Sequence, residues 1–386
     1  MRSSLIAIFG VFFVESLVLG NWIPRIPEVK AALGLSDSML GICLLAMPLG
    51  SFVGLLVAGR AVERLGLRDA CRVTLPLWAL LFVLPALARS APALALALFL
   101  GGVSIALVEV AMNTEADVIE SALGRRLMSR CHGFWSLGSM AGAILGSLFA
   151  HAGVALVTHF AIVLPLCALA GYVLASRLPP DPVSTPASAP PDVATPLFRL
   201  PVPAIVALCA MPLGIMVVEG AFIDWSAVFM RSVLDASPLV IGSAYAFFAV
   251  IMAGVRLSGD RLADRFGDLA VVRASGAAAT VGVALFALAP NVPIAYAGAA
   301  LSGAGVAIVY PLAVSAAARR PGRSSADNVA ALTMISFSAF LLGPPLIGFL
   351  SDAIGLRMAL LVLAPLAFTT VLLAGEVRGR ASSRPA

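Results

Sequence analysis

Charge is scarce in this 386-residue chain. Asp, Glu, Lys and Arg make up 12% of it, while 61% is hydrophobic and the mean hydropathy is +1.03. A soluble domain carries about 25% charged residues. So little charge cannot cover a water-exposed surface, which excludes a soluble enzyme, a secreted domain and a disordered chain. Lysine is almost missing, with Lys30 alone among 25 basic residues. A phosphate-binding loop needs Gly-Lys-Ser/Thr, and Lys30 follows Val29, so an ATP-driven pump is excluded. There is no H-E-x-x-H and no G-x-S-x-G, and Ser136 with His132 lacks an orienting acid. No intramembrane enzyme is expected. The five cysteines (Cys43, Cys71, Cys131, Cys167 and Cys209) form no C-x-x-C pair and sit in apolar runs. They read as small buried hydrophobes, with no metal site and no cofactor.

What is present is apolar length. Runs such as 92–112 are unbroken and show no period-two alternation, so a barrel is excluded and an all-α membrane protein is expected. Twelve spans fall at roughly 4–24, 38–59, 71–88, 92–114, 131–150, 157–176, 203–228, 238–258, 271–289, 292–316, 329–350 and 356–375. The first run is too long for a signal-peptide core and reads as a retained helix. Segment 177–201 is rich in Pro, Ala and Ser and reads as a linker. The expected organisation is a first six-helix bundle at 1–176, the linker at 177–201, a second bundle at 202–375 and a tail at 376–386.

The arginines lie in short turns and build no basic face, which argues against nucleic acid. With a cytoplasmic N-terminus, 20 of the 25 bases fall in inner segments and five (Arg25, Lys30, Arg89, Arg231 and Arg357) in outer ones. The positive-inside rule therefore places both termini and the linker in the cytoplasm. A shift of 201 positions aligns Gly41 with Gly242, Glu63 with Asp264, Arg64 with Arg265, Gly66 with Gly267, Gly102 with Gly303 and Gly142 with Gly343. Two parallel repeats imply two bundles around one cavity, open alternately to each side.

The turn after the second span reads Gly59-Arg-Ala-Val-Glu63-Arg64-Leu-Gly66-Leu-Arg68, and its repeat reads Gly259-Asp260-Arg261-Leu-Ala-Asp264-Arg265-Phe-Gly267. Both resemble the signature loop of the major facilitator superfamily, G-x-L-A-D-R-x-G-R-K. The first copy departs from it at Ala61 and Glu63. Asn21-Trp22-Ile-Pro-Arg25, Met112-Asn113, His132-Gly-Phe-Trp135 and Asp224-Trp225 are similar to the MosC-like, rhizopine-associated branch near the fucose-permease-type symporters. The resemblance implies the twelve-helix fold, a multi-pass place in a bacterial inner membrane and a poorly defined solute. Glu63, Arg64, Arg68, Asp264 and Arg265 are expected to latch the cytoplasmic side, an acid and an arginine pairing with each other and with a helix end.

Four acids fall inside spans: Glu15, Glu109, Glu219 and Asp224. A charge in hydrocarbon is costly, so such residues face a cavity and mark a pathway. No Lys or Arg was placed inside a span to neutralise them, which favours proton exchange at Glu15, Glu109 and Glu219 over buried ion pairs. Glu15 lies about 16 Å along its helix, near the midplane. Trp22 shares its face at i+7, with Asn21 beside it. Glu109 and Asn113 form an i, i+4 pair near the inner end of the fourth span. Glu219 and Asp224 stand about 140° apart around one helix, so both face the cavity squarely only if it breaks. Asp224-Trp225 reads alternatively as an interface anchor or outer gate. His132, Trp135, Ser136 and Ser139 make one polar stripe. Tyr310 occupies the repeat position of Glu109 and completes a solute-binding set of Asn21, Trp22, Asn113, His132, Trp135, Asp224, Trp225 and Tyr310. The ladders Gly50/Gly54/Ala58 and Gly138/Gly142/Gly146 read as close helix contacts.

The expected function is secondary active transport by a monomer in the lipid bilayer, moving a sugar- or polyol-like solute with protons. Efflux of lipophilic cations is the alternative, with Glu15 and aromatics as the cation site. A transport-dead sensor on the same fold is a third class.

Overall fold

The structure is a computed structural model that describes residues 2–124, 127–180, 205–320 and 325–378. Most of the expected linker, Arg125, Arg126, Arg199 and Arg323, and the end of the tail lie outside these residues, as does the Asp260 side chain. Among the described residues there are helices and no strands. Twelve spans are long and apolar enough to cross a bilayer: α1 Ser4–Ala32, α2 Asp37–Leu65, α3 Leu67–Leu87, α4 Ala91–Leu123, α5 Arg130–His151, α6 Leu156–Ala175, α7 Val206–Ser232, α8 Pro238–Gly259, α9 Asp268–Ala287, α10 Val292–Ala318, α11 Ala331–Ile354 and α12 Leu356–Arg378. Apolar side chains such as Leu166, Leu169, Leu342 and Leu372 point outward, as spans facing lipid require. The protein is a multi-pass membrane protein.

The internal repeat is visible in local geometry. Ser90 caps α4 by accepting from Ala93 N, and Asn291, 201 positions on, caps α10 by accepting from Ile294 N. Each is followed by a proline in the first turn, where a missing N–H costs nothing. The turns into α3 and α9 rest on Gly66 (φ 78°) and Gly267 (φ 79°), a conformation only glycine adopts without strain. Inside the bundles, a side chain on Gly102 would strike the backbone oxygen of Met47. One on Gly303 would strike that of Phe248, again 201 positions on. Small residues here let α2 meet α4, and α8 meet α10, backbone to backbone. The Gly138/Gly142/Gly146 stripe does the same for α5 against α1.

Several spans bend or break at proline. Between its helical pieces Val206–Ala210 and Leu213–Ser232, α7 is interrupted at Met211 and Pro212. α10 is divided into Val292–Val306 and Val309–Ala318. Pro344 and Pro345 lie inside the helix Ser325–Ile354, which continues through them.

The halves meet chiefly through α2 with α11 and α5 with α8. Closure is tight at the end opposite the signature loops. Gly348 lies against the backbone of Asp37 and Ser38, and Gly41 against Pro344 and Pro345. The Asp352 carboxylate accepts from Asp37 N and Ser38 N, both at 3.0 Å, and so satisfies free amides at the start of α2 from the other half. The Asp37 carboxylate in turn accepts from Ser351 Oγ and pairs with Lys30. On the second seam Gly242 packs against Ser147, Ala143 and Pro24. At the other end Glu63, Arg64, Asp264 and Arg265 are exposed and, among the described residues, form no ion pair. Arg68 Nη2 donates to Ser176 O within its own half at 2.6 Å.

Candidate solute and proton site

Glu15 sits in the middle of the helix Arg2–Trp22 and is fully buried. Among the described residues no donor meets full hydrogen-bond geometry at either carboxyl oxygen, the Trp135 indole being a weaker polar neighbour. The backbone around it is held firmly: Trp78 Nε1 donates to Glu15 O at 3.1 Å, and Ser16 Oγ donates to Trp135 O at 2.5 Å. Glu109 and Trp135 are polar neighbours of the carboxyl. Glu109 belongs to a helix that runs from Ala91 to Leu123, longer than the sequence suggested, so it lies in mid-helix and away from the end. Asn113 Nδ2 donates to Glu109 O at 2.8 Å along the same helix. Thus α1, α4 and α5 bring Glu15, Glu109 and Trp135 together without a cation from their own half.

His132, on α5, meets Phe12 edge-on with centroids 5.5 Å apart and faces the charge of Arg256 across the seam. One helical repeat along, Ser139 Oγ and Tyr245 Oη share a 2.7 Å hydrogen bond that joins the halves. Glu219, Arg256 and Asp224 lie within electrostatic range of Tyr245. The helix Leu213–Ser232 is unbroken between Glu219 and Asp224.

Arg256 corrects one expectation. It was counted among the cytoplasmic charges, but it lies inside α8, whose helix continues to Phe266. Its Nη2 pairs with Glu219 Oε1 at 3.1 Å. A cation therefore does stand within the spans, and Glu219 is an ion-pair partner.

The remaining expected residues are dispersed. Asn21 is fully buried, with Nδ2 donating to Leu17 O at 2.7 Å and Oδ1 accepting from His159 Nε2 at 2.9 Å. Trp22 packs edge-on against Phe82, which stacks near Trp78. Both belong to the interior of the first half. Trp225 is fully buried with Nε1 unpaired. Tyr310 is partly buried and shares a 3.0 Å hydrogen bond with Thr333, tying α10 to α11. Tyr245 and Arg256 were missed by sequence reasoning. Tyr245 lies in an apolar run and carries no signal. Arg256 lies near a span end, where a base reads equally as a topogenic charge.

Among the described residues no group of three His, Cys, Asp or Glu side chains is placed to hold a metal, and all five cysteines are free and buried. The arrangement is polarised: two carboxyls without a cation in the first half, and a carboxyl paired with one guanidinium in the second.

The profile of the Major Facilitator Superfamily matches residues 5–340. The chain is 31% identical over 367 residues to the uncharacterized transporter y4wD of Sinorhizobium fredii, covering 94% of this chain and 95% of that protein. It is 29% identical over 366 residues to the membrane protein MosC of Rhizobium meliloti, covering 93% and 86%. Among solved structures it resembles the nucleoside transporter NupG with a TM-score of 0.72 at 14% identity, covering 98% of both chains. It also resembles the E. coli fucose:proton symporter FucP with a TM-score of 0.62 at 16% identity, covering 96% and 97%. These two likenesses establish the fold.

Proposed function

Because the chain belongs to the Major Facilitator Superfamily, we propose that it is a secondary active transporter that moves a small sugar- or polyol-like solute together with protons. The observation that carries the proton reading is Glu15, fully buried with no donor in full hydrogen-bond geometry at either oxygen among the described residues. A carboxylate kept bare in the membrane interior is costly, whereas a carboxyl that takes and releases a proton there suits ion coupling. Glu109 stands close enough to share that charge. The names of the two structural neighbours, a nucleoside transporter and a fucose:proton symporter, support a hydrophilic solute.

The termini and linker face the cytoplasm on this reading, since most arginines gather at the signature-loop end. The end closed by Asp352 is then the outer one, and the conformation is inward-facing. The helix 2–3 and 8–9 loops latch the protein in the opposite state.

Purified protein on a solid-supported membrane tests the proposal. A panel of polyols, neutral and acidic sugars and lipophilic cations is applied while charge movement is recorded. A transient that disappears in Glu15→Gln, with its fold intact by thermal melting, supports proton-coupled uptake. Transients only for lipophilic cations replace it with efflux.

A further inference from the structure

The geometry points to Arg256 as the recognition site for a carboxylate on the transported solute, with Glu219 as its internal stand-in. This rests on the transport reading above and narrows its substrate class to sugar acids.

The site is built from a broken helix. The carbonyl of Ala307 would normally accept from the residue four positions on, but that residue is Pro311, which has no N–H. α10 divides there, between Val306 and Val309. Arg256 Nε takes the freed carbonyl at 3.2 Å. Broken helices at the middle of a transporter are where solutes and ions bind, because backbone polar groups become available within the membrane. The bond to Ala307 fixes the Nε side of the guanidinium, and Nη2 reaches Glu219.

The pair is incompletely used. A guanidinium and a carboxylate can form two parallel hydrogen bonds. Here one is made, Nη2 to Oε1 at 3.1 Å. Neither Nη1 of Arg256 nor Oε2 of Glu219 is a buried unpaired atom, and the arginine side chain is 20% exposed. Arg256 keeps Nη1 in reserve, within electrostatic range of His132 in the first half and of Tyr245, which bonds Ser139 across the seam. A solute carboxylate that displaces Glu219 gains the second bond of the fork and touches both halves.

The test is calorimetric titration of the purified protein with D-glucuronate and with D-glucose. The expected result is binding of glucuronate at least about tenfold tighter than glucose, a bidentate charged contact being the strong kind. Arg256→Gln should abolish glucuronate binding. Glu219→Gln removes the competitor and should tighten glucuronate binding several-fold, whereas an ion pair serving only the fold predicts weakening in both variants. Melting temperatures of all proteins check that they fold, and Arg256→Lys, which retains the charge but not the fork, should bind with intermediate affinity. Equal affinity for the two sugars, glucuronate binding unaffected by Arg256→Gln, or weaker binding in folded Glu219→Gln overturns the assignment. Glucose binding alone overturns it and leaves sugar transport standing. Silence to both sugars here and to the full panel above overturns both.

Discussion

Removing Asp352 should release the closed end. Its carboxylate accepts from Asp37 N and Ser38 N, and the amide of Met39 is already served by Ser36 Oγ. Asp352→Ala therefore strips the first turn of α2 of two partners that come from the other half. Loss of a cap costs about 1 kcal/mol, and a negative charge at a helix N-terminus is worth a further few tenths. Asp352 is exposed, so water recovers part of the loss and leaves a net of about 1 kcal/mol. The contact exists only when the end is closed, so the whole difference enters the opening equilibrium, a shift of about fivefold toward the open state. Spin labels at Met39 and Ile354, both on the protein surface, report the separation of α2 and α11 by double electron–electron resonance. The native cysteines are buried and give little background. High salt should move the wild type in the same direction, since an exposed charge is screened. A shift below twofold in Asp352→Ala, or one toward closure, refutes the reasoning.

Four further outcomes follow from packing and hydrogen bonding. Gly102→Ala and Gly303→Ala each drive a methyl into a backbone carbonyl and should destabilise by about 1–3 kcal/mol in thermal melts. Gly59→Ala, with nothing within 4 Å, should leave stability unchanged or raise it. Arg357→Gln frees the carbonyls of Ala287 and Ala289 and should cost about 2 kcal/mol in the same assay, with solute affinity intact. His159→Ala leaves the Asn21 oxygen unpaired and should lower stability by about 1–3 kcal/mol without altering solute affinity, which separates an interior role from a solute contact for Asn21.

Much of this architecture is legible in the sequence because the bilayer fixes the length of each apolar run and glycine repeats fix where helices touch. Gly66 and Gly267, and Gly102 and Gly303, recur in register because each position has a geometric requirement that another residue cannot meet. The polar centre is less legible. Glu15 stands out because an acid in hydrocarbon is rare. Arg256 was assigned to topology, because a base near a span end reads the same whether its side chain points to water or back into the helix. Asn21 and Trp22 share a helix with Glu15, yet their partners are His159 and Phe82, far away in the chain. Periodicity tells which face a residue occupies and is silent about what lies opposite. Asp352 carried no signal at all, since its partners are backbone amides.

The two seams between the halves are not copies of each other. Shifted by one repeat, Asp352 falls on His151, which is exposed, and Asp37 falls on Pro238. Proline has no amide for a carboxylate to grip. The two seams are not fastened alike: one is held by charge against backbone, the other by the fit of Gly242 against Ser147 and Ala143 and by the neutral Ser139–Tyr245 hydrogen bond. Parting the halves must break a charged contact on the α2–α11 edge and a neutral hydrogen bond on the α5–α8 edge, so ionic strength weakens the first fastener far more than the second.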